Sequence, residues 1–263
     1  MNRIDKKFEE LRAAKKKAFI AFITAGYPDL ETTGKLILEF SRIGVDIVEL
    51  GIPFSDPLAD GRIIQEASKA ALDNKINLND IFALVERIRP LTDIPIVLMT
   101  YYNPIFCFGE QRFAEKAGFA GVDGVIVPDL PPEEARCFIK YAKENRLDTI
   151  FFLAPTTTRE RIKFISQVSS GFIYYVSLTG VTGMRQKLPK DLKSNLEAVK
   201  QITAKPVCVG FGVSTPEQVK ELGKICDGVI VGSAIVEKIK NNIGEQDLVE
   251  KVGKFVYSLN RKG

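Results

Sequence analysis

PVCVGFGVSTPEQVKELGKICDGVIVGS, residues 206–233, holds one complete strand–helix–strand unit. Its ends, PVCVGFG (206–212) and DGVIVGS (227–233), are short runs with apolar residues at consecutive positions, as in parallel strands covered on both faces. Between them, Thr215-Pro216-Glu217-Gln218 supplies an N-cap, a proline at the first helical position and a capping glutamine. The same beat runs through the rest of the chain. FIAFIT (19–24), DIVELG (46–51), PIVLMT (95–100), GVIVPD (124–129), TIFFLA (149–154) and FIYYVS (172–177) bring the apolar runs to eight. Helical spacing lies between them: Leu36, Ile37, Phe40 and Ile43 end at Gly44, and Ile81, Leu84, Val85 and Ile88 end before Pro90. Eight such units of roughly 33 residues account for all 263, with no linker or low-complexity stretch left over. A doubly wound sheet shares these units, but eight repeats favour a closed α/β barrel. The expectation is a single-domain (β/α)8 TIM barrel over residues 1–263, with an extra N-terminal helix.

Composition narrows the chemistry. The chain has no His and no Trp. Without imidazole, Ser-His-Asp and Cys-His nucleophilic machinery is excluded, and the usual zinc sites are disfavoured. Acid–base work falls to Asp, Glu, Lys, Tyr, Cys or water. The net charge is +4, with basic residues spread along the chain, so no nucleic-acid partner is expected and Lys15-Lys16-Lys17 reads as a solvated helix end. Cys107, Cys137, Cys208 and Cys226 lack C-x-x-C spacing and read as reduced, mostly buried thiols. The N-terminus has no apolar core for a signal peptide, and no apolar run is long enough to span a membrane. A cytoplasmic protein is expected.

A barrel of this kind builds its active site at the C-terminal ends of its strands. The seventh run ends in Gly210-Phe211-Gly212 and the eighth in Gly232-Ser233-Ala234, where a helix begins. Glycine turns let backbone N–H groups approach an anion, and a helix N-terminus adds partial positive charge, so these turns favour phosphate. Glu49 stands in the apolar run IVELG, where a carboxylate is costly without a purpose or a partner. The following PFSDPLADG (53–61) places Asp56 and Asp60 on a loop above the same mouth. A strand acid with a loop acid suits a general acid–base pair, one of them shifted upward by the apolar barrel; Asp56, before Pro57, reads rather as a turn former. No Lys stands at a strand end, so a Schiff-base aldolase lacks its nucleophile. All-carboxylate metal ligation is unattractive here, and no metal is expected. Carbon–carbon cleavage would need a substrate that stabilises its own leaving group.

AFITAGYPD (21–29), VELGIPFSDPLADG (48–61), TYYNPI (100–105), PDLPPEE (128–134), SLTGVTG (177–183), GFGVSTPEQV (210–219) and VGSAIV (231–236) occur in order at suitable distances. On these blocks the chain resembles the α subunit of tryptophan synthase over essentially its whole length. The resemblance implies a reversible retro-aldol cleavage of indole-3-glycerol phosphate to indole and D-glyceraldehyde 3-phosphate, with the indole ring as electron sink. It implies that Glu49 protonates the ring carbon and takes the hydroxyl proton, while Asp60 accepts the indole N–H. It further implies phosphate binding at Gly183, Gly212, Gly232 and Ser233, aromatic packing on indole by Phe22, Tyr101 and Tyr174, and a substrate contact at Thr182. No cofactor is implied in this chain; pyridoxal phosphate (PLP) belongs to a partner β subunit in an α2β2 heterotetramer. That partner would receive the indole and condense it with L-serine, and loops 53–60 and 178–189 would close in response. Arg62 departs from the proline that many members carry, and it would either pair with Asp60 or face solvent. Two further readings stay open: a non-catalytic activator of a β subunit, or another phosphate-binding barrel such as an isomerase or epimerase. The retained acids and phosphate turns argue against the first. The second usually relies on Lys, Cys, His or metal ligands at strand ends, where only Cys208 lies inside a candidate strand.

Overall fold

The computed structural model describes residues 2–176, 191–210 and 212–260. Its strands are β1 (Ala18–Thr24), β2 (Ile47–Gly51), β3 (Ile96–Met99), β4 (Gly124–Ile126), β5 (Asp148–Ile150), β6 (Phe152–Leu153), β7 (Ile173–Val176), β8 (Val207–Gly210) and β9 (Gly228–Val231). Each falls within, or one residue outside, one of the eight apolar runs. The count is nine because the run TIFFLA is interrupted at Phe151. All pairings are parallel, in the order β5-β4-β3-β2-β1-β9-β8-β7-β6. The two edges of that order are consecutive pieces of one run, so the sheet returns on itself. The Tyr174 amide donates to Phe151 O at 3.0 Å and the Ser170 amide to Thr149 O at 2.9 Å, carrying the ladder across the seam. The fold is the expected TIM barrel.

The N-terminal ends of the strands are tied by a recurring device. Asp46, Asp123 and Asp227 each precede a strand, and each carboxylate accepts the amide of a residue in or just before the neighbouring strand: Phe19 at 2.8 Å, Ile96 at 2.9 Å and Val207 at 3.1 Å. Each Asp amide in turn donates to that residue's carbonyl. These acids satisfy the first ladder positions, where an unpaired buried N–H would be costly. The helix Arg3–Ala13, the expected extra helix, lies under this end. Asn2 caps it, Arg3 pairs with Asp123 at 3.0 Å, and Ile4, Phe8 and Leu11 are buried, with Phe8 against Phe172. With its lower end closed by side chains, the barrel opens at the other.

Cys208 and Cys226 are buried, but Cys107 and Cys137 are exposed, because both sit on outer helices rather than in strands. All four are free thiols. Among the described residues, no helix is long and apolar enough to cross a membrane.

Candidate active site

At the open end, β1 and β2 run in register, with Phe22 opposite Glu49 and Thr24 opposite Gly51. Glu49 lies two residues inside the last register pair of a strand buried at every position, and it is only 1% exposed. Among the described residues, its Oε2 has no hydrogen-bond partner. Burial, reinforced by the nearby Asp60 charge, pushes its carboxyl up to about 8. An unpaired buried carboxyl escapes its desolvation cost by staying protonated, which makes it a proton donor near neutrality.

Asp60 reaches the same space from the loop before the helix Arg62–Asp73. Burial raises it to about 6, and the hydrogen bond from Tyr101 Oη to its Oδ2 at 3.1 Å opposes that rise. Tyr101 also accepts the Ala59 amide at 2.9 Å, so one phenol fixes both the acid and the backbone beside it. Its ring stacks on Phe54, with centroids 5.3 Å apart. The two carboxyls therefore differ: near pH 7 Glu49 is mostly protonated and Asp60 mostly ionised. Opposed proton states in one cavity suit an acid and a base. Asp56 is exposed and bonded to the neighbouring Ser55 hydroxyl, as a turn residue would be.

The cavity that holds both acids measures about 270 Å³, and Phe22, Met99, Tyr174 and Ile230 form its apolar wall. Two glycines give the rings their room. A Cβ on Gly51 would fall 2.6 Å from Phe22 Cζ, and one on Gly210 would fall 2.3 Å from Tyr174 Oη. Gly51→Ala is expected to displace the Phe22 ring and destabilise the fold by about 1–3 kcal/mol. Urea unfolding measures this; unchanged stability would mean that the ring moves freely.

The far wall of the cavity is polar without being charged. Gly212, with φ +75°, and Gly232-Ser233 line it, and Ser233 opens the helix Ser233–Lys240. The first N–H groups of a helix have no acceptor within it, so this turn presents donors to an anion. The capping box of Thr215 and Gln218, read in the sequence, starts the helix Pro216–Gly223 just beyond Gly212. A larger concavity of about 540 Å³ lies at the opposite end of the barrel among lysines, remote from both acids.

Glu49, Asp60, Phe22, Tyr174, Gly212, Gly232 and Ser233 thus share one cavity. Tyr101 does not line it; this ring stands behind Asp60, in a small adjoining hollow. Thr182, Gly183, Phe211 and the loop 178–189 lie outside the described residues. Arg62 neither pairs with Asp60 nor stands idle: its Nε donates to Glu66 Oε1 at 2.9 Å. Met99 and Ile230 went unread in the sequence as cavity residues, since each looks like ordinary strand filling; only the registry of the strands turns them inward.

A family model described as the tryptophan synthase alpha chain matches residues 8–262. The tryptophan synthase alpha chain of Thermoanaerobacter sp. (strain X514) is 47% identical over 259 residues, covering 98% of each chain. The crystal structure of tryptophan synthase subunit alpha from Legionella pneumophila str. Paris is 39% identical, with a TM-score of 0.92, and covers 100% of this chain and 98% of that one. A chain of the Pyrococcus furiosus tryptophan synthase complex is 41% identical, with a TM-score of 0.85, over 92% of this chain and 97% of its own. Likeness of this extent takes in every strand of the barrel, and the chain belongs to the tryptophan synthase alpha chain family, the lyases that cleave indole-3-glycerol phosphate.

Proposed function

We propose that Glu49 and Asp60 carry the protons of a retro-aldol cleavage of indole-3-glycerol phosphate, and that the indole passes to a β subunit. One observation carries this reading: two carboxyls with separated proton affinities share an apolar cavity that ends in a turn built for an anion. Glu49, protonated, delivers its proton to the ring carbon bearing the side chain, while Asp60, ionised, takes the indole N–H. The ring becomes an indolenine and can accept an electron pair. Glu49, now a carboxylate, removes the proton from the adjacent side-chain hydroxyl. The carbon–carbon bond breaks, its electrons return to the ring, and Asp60 gives the proton back to nitrogen. Indole and D-glyceraldehyde 3-phosphate result, and both acids regain their starting states. Phe22 and Tyr174 would pack the ring, and the amides at Gly212, Gly232 and Ser233 would hold the phosphate, with Thr182 and Gly183 completing that end.

The partner reading has support at the same face. Leu58, 88% exposed, lies on the loop that carries Asp60, and Phe106, 66% exposed, lies on the helix Tyr102–Phe108 after β3. Apolar side chains standing out beside a cavity mouth suit coverage by another subunit. In this reading the loop 53–60 closes on contact, the pyridoxal phosphate chemistry belongs to the β subunit, and the assembly is an α2β2 heterotetramer in the cytoplasm. Residues 1–263 form one barrel domain without a cofactor of their own.

Indole release from indole-3-glycerol phosphate, with and without a β subunit, tests this directly. Cleavage that rises when the β subunit is added is expected; no cleavage in either condition sinks the reading. Tyr101→Phe separates positioning from proton transfer. Loss of the phenol removes the bond that holds Asp60 down, so the acid limb of the pH–rate profile should move upward and the rate at pH 7 should fall about tenfold. An acid limb left in place would show that Asp60 is not the base.

A further inference from the structure

Arg62 opens the helix Arg62–Asp73 with its side chain 90% exposed, and it lines the cavity that holds Gly212, Gly232 and Ser233. Among the described residues, it is the only cation in that lining, set against the carboxyls of Glu49 and Asp60. Its one hydrogen bond to a described residue runs from Nε to Glu66 Oε1, one turn along the helix. Glu66 does not need it for charge balance. Its other oxygen takes Lys240 Nζ at 2.6 Å, and both cations hold its carboxyl below the usual range, Lys240 more strongly. One carboxylate between two cations leaves a net positive charge at the rim. The Arg62 terminal nitrogens, free of hydrogen bonds among the described residues, remain able to accept an anion.

The glycine turns offer a phosphate only neutral donors, within a cavity that already holds two acids. A dianion entering it meets repulsion from Asp60 that backbone amides offset only through partial charge. A guanidinium presents paired N–H groups matched to phosphoryl oxygens.

We propose that Arg62 is a specificity-determining residue of this chain, binding the phosphate of the substrate together with the Gly232-Ser233 amides. This rests on the reading that the substrate carries a phosphate. Arg62 acts on binding rather than on proton transfer, so its loss should appear in KM.

The experiment compares Arg62→Gln, Arg62→Lys and Glu66→Gln with the wild type at low and at physiological salt. It measures cleavage of indole-3-glycerol phosphate, and the reverse condensation of indole with glyceraldehyde 3-phosphate or with unphosphorylated glyceraldehyde. Arg62→Gln should raise KM for both phosphorylated substrates about threefold to tenfold, between the loss of an exposed ion pair and that of a sheltered charged hydrogen bond. The rise should shrink with added salt, Arg62→Lys should restore part of it, and glyceraldehyde should be unaffected. Glu66→Gln, which frees Arg62, should leave KM level or lower it. An unchanged KM in Arg62→Gln overturns the inference, as does an equal rise with glyceraldehyde or the same rise in Glu66→Gln. A wild-type chain that cleaves nothing would instead bring down the proposed function and this inference with it.

Discussion

Replacement of Glu49 by Gln is expected to cut indole formation about a thousandfold while the substrate still binds. The amide keeps the shape of the side chain but can neither give a proton to the ring carbon nor take one from the hydroxyl. A general acid–base group contributes at this scale, and here one residue serves twice. Single-turnover measurement of indole, beside a binding titration, checks it; near-normal turnover would remove Glu49 from the mechanism. The same substitution should stabilise the fold. The carboxyl is raised to about 8 in the folded chain, against about 4.5 for the free group. Below pH 4.5 it is neutral in both states and contributes nothing. As pH climbs from there toward 8, the unfolded chain releases the proton and the folded chain retains it, so wild-type stability declines by about 1.4 kcal/mol per unit. Glu49→Gln should therefore gain on the wild type across that window, by about 3–5 kcal/mol at its upper end. Urea unfolding at pH 4.5, 6 and 8 would show the widening gap. A gap that does not grow with pH would mean that the carboxyl is not held protonated. In the proposed mechanism this acid weakens the fold in return for its chemistry.

Asp60→Asn carries the second large effect, a loss of about a hundredfold in kcat/KM, because no ionised group is left to receive the indole N–H. The wild-type profile should be a bell, rising as Asp60 ionises near pH 6 and falling as Glu49 loses its proton near pH 8. In Asp60→Asn the rising limb should vanish. The falling limb should move to lower pH, because the Asp60 charge is part of what raises Glu49. Burial is the larger cause and persists, so Glu49 should stay well above the ordinary carboxylate range. A full pH series on both proteins decides the point. A surviving rising limb near pH 6 would assign that ionisation to another group, the substrate included.

Much of this site was legible in one dimension. A carboxylate inside IVELG, an Asp-Gly pair on the loop that follows, and glycine turns at the last two strand ends are local signals, and each residue type there has a local physical reason. The missing imidazole narrowed the remaining chemistry to carboxylates. Tyr101 shows where such reading stops. Nothing in TYYNPI says that its phenol reaches forty-one residues back to Asp60, because that contact depends on the stacking of one strand-end loop over another. Arg62 is similar: its bond to Glu66 is a one-turn helical spacing visible in the sequence, but the Lys240 bond to the same carboxylate crosses 174 residues.

The sequence by itself determined the repeat, the strand and helix identities, the two acids and the family, since apolar periodicity, turn chemistry and ordered motifs are written in neighbouring residues. Only the tertiary structure decided that the run TIFFLA serves both edges of the sheet, that Tyr101 supports Asp60 from behind the cavity, and that Glu49 rather than Asp60 is raised further. It also placed Arg62 in the lining of the cavity that the glycine turns share. Closure, desolvation and charge pairing are set by groups far apart in the chain, and they take definite values only once the barrel has brought those groups together.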